Sequence, residues 1–388
     1  MIAPYEFKTL LLGSNNLRCN NSPASDFKSE VVHIHLTDYP IRINTSELYL
    51  SSMSFERLIT KLDDKERYWR SIEGKTIAVI GYGNQGRSQA LNMRDNGVNV
   101  IIGNPPDEYR KTAEKEGFRV YEIDEAVKNS EIVFMLIPDE VQPEVFSHKI
   151  ADNLKQGSAI VFASGYNYFY DLITVPSYVD VLLVAPRMIG FGIRDLFLKG
   201  KGFPVLIAVG KDYTGQAEEK LLALTDAIGA LKPGGVAVRS SFKEETLLDL
   251  LTEHTWAGAI LYMFRLYYEV ATELGASPEA IILELYGSGE LAEIAESMKQ
   301  QGLFKQLKNH SHTSQYGQLS RGRLFANEKV KQLIKKMALE ILDGTFAKEW
   351  TLEQKSGLIH YKNLYKMNLE HPMEREEEKL YRLLGRIK

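Results

Sequence analysis

Residues 81–86 are the part of this chain whose types and spacing point most clearly to chemistry. They read Gly-Tyr-Gly-Asn-Gln-Gly, between an apolar run at 77–80 and a helical pattern that reaches about Asn96. Glycines at this spacing permit a tight turn, let a pyrophosphate approach the backbone and let the helix pack on the strand, while the helix N-terminus attracts phosphates. We therefore predict a dinucleotide site, and the alternative is a glycine-rich turn that binds no ligand. The residues of the predicted site are Gly81, Tyr82, Gly83, Asn84, Gln85 and Gly86.

Two carboxylates are the second candidate for chemistry. Asp249 and Glu253 are four residues apart in a helical pattern, so both side chains lie on one helix face. Such a pair suits Mg²⁺, which binds a few carboxylates and keeps several waters. Acids at this spacing are also common on solvated helices, and the spacing alone favours that alternative. A later polar cluster at 309–317, which contains Ser311, could contact a carboxylate or a hydroxyl group.

The residues after the strand predicted at 98–102 bear on the choice of cofactor, because this position reads the adenosine ribose. Asp107 and Glu108 would accept hydrogen bonds from a 2′-hydroxyl and repel a 2′-phosphate, which favours NADH. Arg110 and Lys111 could pair with a phosphate, which favours NADPH. Acids that cap a solvated helix are an equal alternative. The sequence thus gives a slight preference for NADH over NADPH.

An α/β fold has to position these residues. Apolar runs predict the buried strands of a parallel sheet at 77–80, 98–102, 131–137, 159–163, 179–184 and 203–209. Ligands in such sheets bind beyond the carboxyl ends of the strands. The loops at 138–142, 164–168 and 186–192 should therefore face a nicotinamide and a substrate. They add Pro138, Asp139, Gln142 and Gly165 to the predicted cofactor site.

The strand pattern ends near Val238, and from Ser241 onward the pattern is helical almost to the end of the chain. We therefore predict a Rossmann-type doubly wound parallel sheet followed by an all-α domain. The predicted segments are an N-terminal extension over 1–72, with a hairpin within 31–50 and a helix over 54–72, a sheet domain over 73–240 and a helical domain over 241–388.

Composition argues against several kinds of partner. The 388 residues include 44% hydrophobic and 25% charged residues, as in ordinary globular proteins. A net charge of −4 leaves no basic surplus for nucleic acid. The single cysteine, Cys19, excludes an internal disulfide framework and a cysteine-rich metal site. No apolar run approaches the roughly 18–20 residues that span a membrane, and no secretory signal is visible, so we expect a cytoplasmic protein.

Several segments resemble the ketol-acid reductoisomerases of branched-chain amino-acid synthesis, and they follow the same order from about residue 73 to 388. They are GYGNQG with ALNMRDNGVNV, IPDEVQ, FASGYN, VAPRMIG, GFPVLIAV, SFKEETLLDLLTEH, HTSQYG, and GTFAKEWTLEQKSG with EHPMEREEEKL. The resemblance implies a Rossmann domain, a knotted helical domain and reduction driven by NADH or NADPH. It also implies a homodimer or larger assembly in which both subunits contribute substrate-binding residues.

The resemblance also assigns site residues. Asp249 and Glu253 match the family's first two metal carboxylates, and Glu290 matches a third. Ser311 matches the family's substrate-contacting serine. From this match we expect at most a single Mg²⁺ at Asp249, Glu253 and Glu290.

The chain departs from the family at four places. Tyr286 stands where the fourth metal carboxylate is expected, four residues before Glu290. Ser164 replaces a histidine, and Arg187 replaces a lysine. Residues 105–108, Pro-Pro-Asp-Glu, replace the arginine and serines that bind a 2′-phosphate.

We therefore predict an enzyme that keeps the reductase half of the family's reaction and has lost or altered the isomerase half. It would reduce a C=O or C=N bond of a small 2-keto or imino acid, whose carboxylate Arg187 would hold with two parallel bonds. The proton would come from Tyr166, Tyr168, His254 or a water held by Asp249 and Glu253. The alternatives are a working ketol-acid reductoisomerase and a non-catalytic protein that binds a nucleotide.

Overall fold

The computed structural model describes three stretches of the chain, residues 32–36, 39–43 and 57–387. The chain divides into two compact units, with the boundary between Glu56 and Arg57. In the first unit two strands pair as an antiparallel hairpin, β1 (Val32–Leu36) and β2 (Tyr39–Ile43). The rest of the N-terminal segment in which a hairpin was expected lies outside the described residues.

The second unit contains one large sheet. Its strands are β3 (Leu58–Ile59), β4 (Thr76–Ile80), β5 (Asn99–Gly103), β6 (Arg119–Tyr121), β7 (Ile132–Met135), β8 (Ala159–Phe162), β9 (Asp180–Pro186), β10 (Pro204–Lys211) and β11 (Val236–Arg239). Their spatial order is β3-β11-β10-β9-β8-β7-β4-β5-β6. This is the doubly wound order expected from the strand–turn–helix pattern, and the predicted α/β fold class is confirmed.

Strand direction differs from the prediction at one place. The strands from β9 to β6 are all parallel, as expected. Strand β10 is antiparallel to β9, with Val205 opposite Pro186, so the expectation of a fully parallel sheet is wrong there. The connection between these strands contains only helix α7 (Gly190–Leu198), which therefore stays at the edge where β9 ends and packs on helix α2 (Asn84–Asp95).

The expected helix over 54–72 is also only partly correct. Within its described part, Leu58–Ile59 is a strand, and the helix α1 is confined to Lys65–Arg70. Ile59 lies opposite Ala237 of β11, so pairing with a distant strand overrides the local helical pattern. Asp64 begins the helix, because its side chain accepts a hydrogen bond from Arg67 N at 3.0 Å.

The core lies on both faces of the sheet, as the central strand β4 illustrates. Ile77 and Val79 face one apolar layer, whereas Ala78 and Ile80 face the other, and all four are fully buried. Burial of an isoleucine or valine side chain contributes about 1.5–3 kcal/mol, so the strand is fixed firmly in the sheet. Its carboxyl end is therefore a rigid support for the glycine-rich turn that follows.

Helices cover the sheet in what we call the sheet half, residues 57–240. Besides α1, α2 and α7 they are α3 (Glu108–Lys115), α4 (Ile123–Lys128), α5 (Gln142–Val145), α6 (Tyr166–Phe169) and α8 (Ala217–Ala227). Short π and 3₁₀ turns at Phe146–Ile150 and Ala151–Asn153 extend α5.

Residues 241–387 form the helical half. Its helices are α9 (Phe242–Thr252), α10 (Gly258–Glu273), α11 (Pro278–Ile282), α12 (Glu290–Gln301), α13 (His312–Gly322), α14 (Glu328–Leu342), α15 (Thr345–Lys355), α16 (Ile359–Leu369) and α17 (Pro372–Leu383). Single π-turns at Glu253–Ala257 and Leu283–Gly287 adjoin α9 and α11. The knotted path implied by the resemblance stays a prediction. No described helix has the length and apolar character needed to cross a membrane.

Candidate active site

The three glycines of the turn after β4 have different neighbours. A Cβ added to Gly81, whose φ is +91°, would lie 2.7 Å from Ile137 Cγ2, and one added to Gly86 would lie 2.0 Å from Gly81 O. A Cβ added to Gly83 would meet no atom within 4 Å among the described residues. Packing therefore requires the first and third glycines, whereas the second leaves space that a ligand can approach.

The N-terminus of α2 follows this space. Gly83 begins the helix, and its N-terminal N–H groups receive no side-chain cap. Unpaired N–H groups at a helix N-terminus bind phosphate well, because the helix dipole adds a partial positive charge. The residues at this turn therefore fit a dinucleotide pyrophosphate.

Tyr82 contributes to the turn differently from its neighbours. Its side chain is only 1% exposed and packs edge-on against Phe118, and its hydroxyl donates to Glu116 at 2.6 Å. Its backbone N–H donates to Asn104 Oδ1 at 3.1 Å. Asn104, which the sequence analysis did not single out, also donates to Asp107 Oδ1 at 2.8 Å and so connects the turn to the ribose loop.

A cleft of about 570 Å³, which we call the nucleotide cleft, runs along this turn. Nine of the predicted cofactor residues line it, namely Gly81, Tyr82, Gly83, Asn84, Gln85, Asp107, Pro138, Asp139 and Gln142. Gly86 and Gly165 do not, since Gly86 is packed under the turn and the N–H of Gly165 donates to Glu245. The structure thus brings together segments that follow three neighbouring strands.

The charged residues at the ribose end pair with one another. Asp107 caps α3 by accepting a hydrogen bond from Arg110 N at 2.9 Å, so the capping interpretation describes its contacts in this structure. Arg110 pairs with Glu122 at 2.7 Å, and Lys111 pairs with Glu108 at 2.5 Å. Both cations therefore have carboxylate partners, and Asp107 is the acid that lines the ribose end of the cleft.

A second cleft of about 630 Å³, the substrate cleft, adjoins the first. Its lining is Asn84, Gln85, Ala163, Pro186, Arg187, Met188, Ile189, Leu248, Asp249 and Thr252. The two clefts share Asn84, Gln85 and Ala163, so they meet beside the glycine-rich turn. A dinucleotide in the first cleft would place its nicotinamide end at this junction.

The loop after β9 is held tightly against the glycine-rich turn. Gln85 Nε2 donates to Met188 O at 2.8 Å, and the N–H of Phe191 donates to Asn84 Oδ1 at 3.0 Å. A Cβ added to Gly190 would lie 2.2 Å from Asn84 O, so only glycine permits this approach. These contacts fix the position of Arg187, three residues before Gly190.

Arg187 joins two carboxylates of α9. Its Nη2 lies 2.7 Å from Glu245 Oε1, and its Nη1 lies 3.1 Å from Asp249 Oδ1. The other Glu245 oxygen accepts the N–H of Gly165 at 2.6 Å. Burial raises the pKa of Glu245, and the Arg187 charge opposes that rise. We refer to Arg187, Glu245 and Asp249 as the arginine triad.

Glu245 is a site residue that the sequence analysis missed. The signal was present, because Glu245 precedes Asp249 by the same four residues that separate Asp249 from Glu253. Helix α9 packs against α6, β10 and α14, which carries its inner face into the molecule. Only Glu245 is buried, at 1% exposure, whereas the Asp249 side chain is 47% exposed and Glu253 is exposed. The alternative of two acids on a solvated helix face therefore stays open for Asp249 and Glu253.

Three acidic groups interact near the two clefts, and of these Asp249 lines the substrate cleft and Asp139 lines the nucleotide cleft. Burial raises the pKa of Glu253, and the charges of Asp249 and Asp139 add to the rise. Burial likewise raises the pKa of Asp139 to about 6, Asp249 and Glu140 add to it, and the hydrogen bond from Ser164 opposes it. Mutual repulsion among these acids would be relieved by a bound cation. Asp249 and Glu253 thus fit a divalent ion by the chemistry of their donors.

Ser164 lies in a hydrogen-bonded network at the ends of β7 and β8. Its Oγ donates to Asp139 Oδ2 at 3.0 Å, and Gln142 Nε2 donates to Asp139 Oδ1 at 3.0 Å. Asn167 Nδ2 donates to Gln142 Oε1 at 3.1 Å. The network holds Asp139 and Ser164 at the wall of the nucleotide cleft.

Three side chains proposed from the sequence as proton donors, Tyr166, Tyr168 and His254, line neither cleft. The fourth proposed donor, a water held by Asp249 and Glu253, stays a prediction. Tyr166 is buried, which raises the pKa of its hydroxyl. Tyr168 packs on Phe242, with ring centroids 4.5 Å apart. His254 packs against Phe346, and burial lowers the pKa of its ring. Of the side chains in reach of a bound cofactor, Ser164 and Asp139 are better placed.

The remaining residues assigned by resemblance do not join this cluster within one chain. Glu290 is exposed at the start of α12, and Ser311 is exposed where it caps α13. Tyr286 stacks on Phe264 and donates its hydroxyl hydrogen bond to Glu377. The described residues of one chain contain no group of three or more His, Cys, Asp or Glu side chains placed to hold a metal.

Two family models match the chain. The NADPH-binding domain of acetohydroxy acid isomeroreductase matches residues 71–234, and the C-terminal domain of ketol-acid reductoisomerase matches residues 242–385. These limits follow the sheet half and the helical half.

Known proteins are similar over most of the chain. A Saccharolobus solfataricus protein named "Putative ketol-acid reductoisomerase 3" is 50% identical over 81% of this chain and 95% of its own length. The ketol-acid reductoisomerase (NADP(+)) of Methanopyrus kandleri is 41% identical over 83% of this chain and 97% of its own. A solved NADH-preferring ketol-acid reductoisomerase from an uncultured archaeon superposes with a TM-score of 0.77 at 33% identity, over 81% of this chain and 96% of that one. Because these matches extend across both halves, the chain belongs to the ketol-acid reductoisomerase family.

Proposed function

We propose that this protein is a ketol-acid reductoisomerase, which rearranges an acetohydroxy acid and reduces the product with NADH or NADPH. The observation that carries the proposal is the junction of the nucleotide cleft with a substrate cleft that is lined by two members of the arginine triad, Arg187 and Asp249. The relatives named as ketol-acid reductoisomerases support this function over the prediction in which the isomerase half is lost.

The chain's own residues would each have a defined part in the reaction. The space beside Gly83 and the N-terminus of α2 bind the pyrophosphate. NAD(P)H, when bound, would supply the hydride, and Asp249 and Glu253 would hold a divalent ion that would provide Lewis-acid polarisation of a substrate oxygen. The arginine triad keeps Asp249 oriented toward the substrate cleft.

Ser164 and Asp139 would supply the proton that completes the reduction. When Asp139 is protonated it can donate to Ser164 Oγ, whose own hydrogen then turns toward the substrate oxygen. Their oxygens are 3.0 Å apart, within hydrogen-bonding distance. Arg187 cannot take this part, because a guanidinium stays protonated at any working pH.

We propose NADH as the preferred cofactor. Asp107 is the carboxylate at the ribose end of the nucleotide cleft, where it would accept a hydrogen bond from a 2′-hydroxyl and repel a 2′-phosphate. Arg110 and Lys111, the cations that favoured NADPH, are both paired with carboxylates.

The active unit is proposed to be a homodimer or a larger assembly of this chain. The helical half exposes many large apolar side chains, including Trp256 at 65% and Leu266 at 55%. Apolar surface of this extent marks a site of association. A second copy would also provide Glu290 and Ser311, which lie outside the cluster of their own chain.

A reductase without isomerase activity is the second candidate. It is favoured by Tyr286, which replaces an expected metal carboxylate and binds Glu377, and by the pairing of Asp249 with Arg187. In this case the substrate would be a 2-keto or imino acid that needs no rearrangement.

Two substrates separate the candidates. Purified protein is incubated with Mg²⁺, with NADH or NADPH, and with either acetolactate or its rearranged 3-hydroxy-2-keto isomer. Oxidation of the dinucleotide with both substrates supports the reductoisomerase, whereas oxidation with the rearranged isomer alone supports the reductase. Dinucleotide binding without turnover of any keto or imino acid contradicts both and identifies a non-catalytic nucleotide-binding protein.

A further inference from the structure

We propose that the guanidinium of Arg187 takes the place of one divalent cation, so that each site binds one ion rather than two. The inference rests on the proposed function, because it concerns the metal site of that reaction. The ion would bind Asp249 through Oδ2 and Glu253 through its carboxylate. Arg187 would remain the permanent positive charge on the other side of Asp249.

The contacts of Arg187 are the first reason. One terminal nitrogen lies 2.7 Å from Glu245 Oε1, and the other lies 3.1 Å from Asp249 Oδ1. A planar guanidinium holds two carboxylates with directional bonds and cannot lose its proton. Asp249 therefore keeps a single oxygen free of charged partners among the described residues.

Ligand geometry is the second reason. Two-metal sites hold their ions about 3.5–4 Å apart, with carboxylates that serve both ions. Asp249 cannot bridge two ions while Oδ1 is bound to Arg187. One ion needs only the free oxygen of Asp249, Glu253, Glu290 from a second copy of the chain and waters, which matches the preference of Mg²⁺ for few carboxylates.

Tyr286 gives an independent reason. By resemblance, a ligand of the second ion is expected four residues before Glu290, which is the position of Tyr286. The Tyr286 hydroxyl instead donates a hydrogen bond to Glu377, and its ring stacks on that of Phe264 with centroids 5.8 Å apart. Burial and Glu377 raise the pKa of Tyr286, so the phenol stays neutral. A neutral phenol adds no negative charge to a metal site, whichever copy of the chain provides it.

The charge of the cluster is consistent with one ion. Glu245 is 1% exposed and depends on Arg187 and the N–H of Gly165 for its partners. If Arg187 moved aside for a second ion, Glu245 would be left as a buried charge without a cation partner, which is strongly unfavourable. We therefore expect Arg187 to keep its contacts with Glu245 and Asp249 when a metal ion binds.

Metal stoichiometry tests the proposal without any use of catalysis. Mn²⁺ is titrated into the full-length protein in the presence of NADH, and bound ion is counted from the electron paramagnetic resonance signal of free Mn²⁺. We expect one Mn²⁺ per chain for the wild type and none for the double variant Asp249→Asn with Glu253→Gln. Two ions per chain, or none, in the wild type would overturn the proposal.

Variants show whether Arg187 is the cause. Tyr286→Glu restores a carboxylate but leaves the arginine triad, so it should still bind one Mn²⁺ per chain. The double variant Tyr286→Glu with Arg187→Lys should bind two ions per chain. A lysine amine lacks the planar, two-pronged donor geometry with which the guanidinium binds Glu245 and Asp249 at the same time. If the single variant Tyr286→Glu binds two Mn²⁺ per chain, Arg187 does not prevent binding of a second ion and its proposed role is wrong.

The matched control is Arg119→Lys, on the edge strand β6, where Arg119 pairs with Asn99 at 3.0 Å. It should bind one ion, as the wild type does. If the Arg187→Lys protein does not fold, the wild-type and Tyr286→Glu counts still decide the question. NADH binding and keto-acid-dependent oxidation are measured on the same samples, so failure of the proposed function is seen separately.

Discussion

The sheet half and the helical half differ in how completely one chain builds them. The strands β4, β7, β8 and β9 are buried along nearly their whole length, with apolar layers on both faces. The helical half contains only one small buried cluster, around Tyr268, Ile281 and Ile282, and exposes large side chains such as Leu274 at 84%. A single chain thus completes the nucleotide cleft, whereas the proposed metal site would take its residues from the helical half, where large apolar side chains remain exposed.

The largest expected effect tests whether the second copy completes the site. Asp249→Asn and Glu290→Gln should each lower kcat on the order of 100-fold, because a metal that polarises an oxygen contributes several kcal/mol. When the two inactive proteins are unfolded and refolded together, half of the dimers carry one intact site. We expect activity to return to about a quarter of the wild-type value. If the mixed sample is no more active than either variant alone, Asp249 and Glu290 of each site come from the same chain.

The next effect separates folding from ligand binding in the sheet half. Gly86→Ala should lower the free energy of unfolding by roughly 3 kcal/mol, because its Cβ would lie 2.0 Å from Gly81 O. Gly83→Ala should leave stability nearly unchanged and weaken NADH binding at least about tenfold, which is 1.4 kcal/mol. Chemical denaturation and NADH fluorescence titration measure the two quantities. Equal stability losses in the two variants would contradict the different parts assigned to these glycines.

A smaller effect concerns Asp139, which lines the nucleotide cleft in the sheet half and whose pKa is raised in part by the charge of Asp249 in the helical half. Burial raises the pKa of Asp139 to about 6, above the ordinary aspartate value of 3.8, so the folded state binds the proton more tightly than the unfolded state. The stability contributed by Asp139 is therefore complete below about pH 4 and is lost as the pH rises through about 6. Asp139→Asn should flatten this decline, by an amount on the order of 1–3 kcal/mol.

The measurement for Asp139 is the free energy of unfolding of the cofactor-free protein between pH 4 and pH 7.5. Asp171→Asn is the control, at a solvent-exposed acid in the loop after α6. Identical pH curves for Asp139→Asn and the wild type would show that the folded state does not hold this proton.

The smallest expected effect concerns cofactor choice and involves the sheet half alone. Asp107→Ser keeps a helix cap and removes the charge, so it should shift the ratio of kcat/KM for NADPH over NADH upward by roughly fivefold, about 1 kcal/mol. Asp124→Asn, which changes an acid that is paired with Lys128 and does not line the nucleotide cleft, is the matched control. A ratio that is the same in the wild type and Asp107→Ser would remove Asp107 from cofactor selection.

Local pattern in the sequence was sufficient for the sheet half. The apolar run at 77–80 and the glycine spacing after it predict a strand, a turn and a helix, because their side chains interact mainly with near neighbours. The loops that face the nucleotide cleft follow from the same rule, since parallel strands end at one edge. The direction of β10 did not follow, because pairing with β9 depends on where the intervening helix packs.

The site in its final form was decided by the tertiary structure. Sequence spacing placed Asp249 and Glu253 on one helix face, but it could not show that Arg187, 62 residues earlier, would bind Asp249 and Glu245. It also marked Tyr286 as a departure without showing that its hydroxyl turns to Glu377, 91 residues later. Periodicity records which side chains share a face, whereas ion pairs between distant elements depend on how those faces meet. The chemistry of the residues was therefore visible in the sequence, and their partners became visible only in the fold.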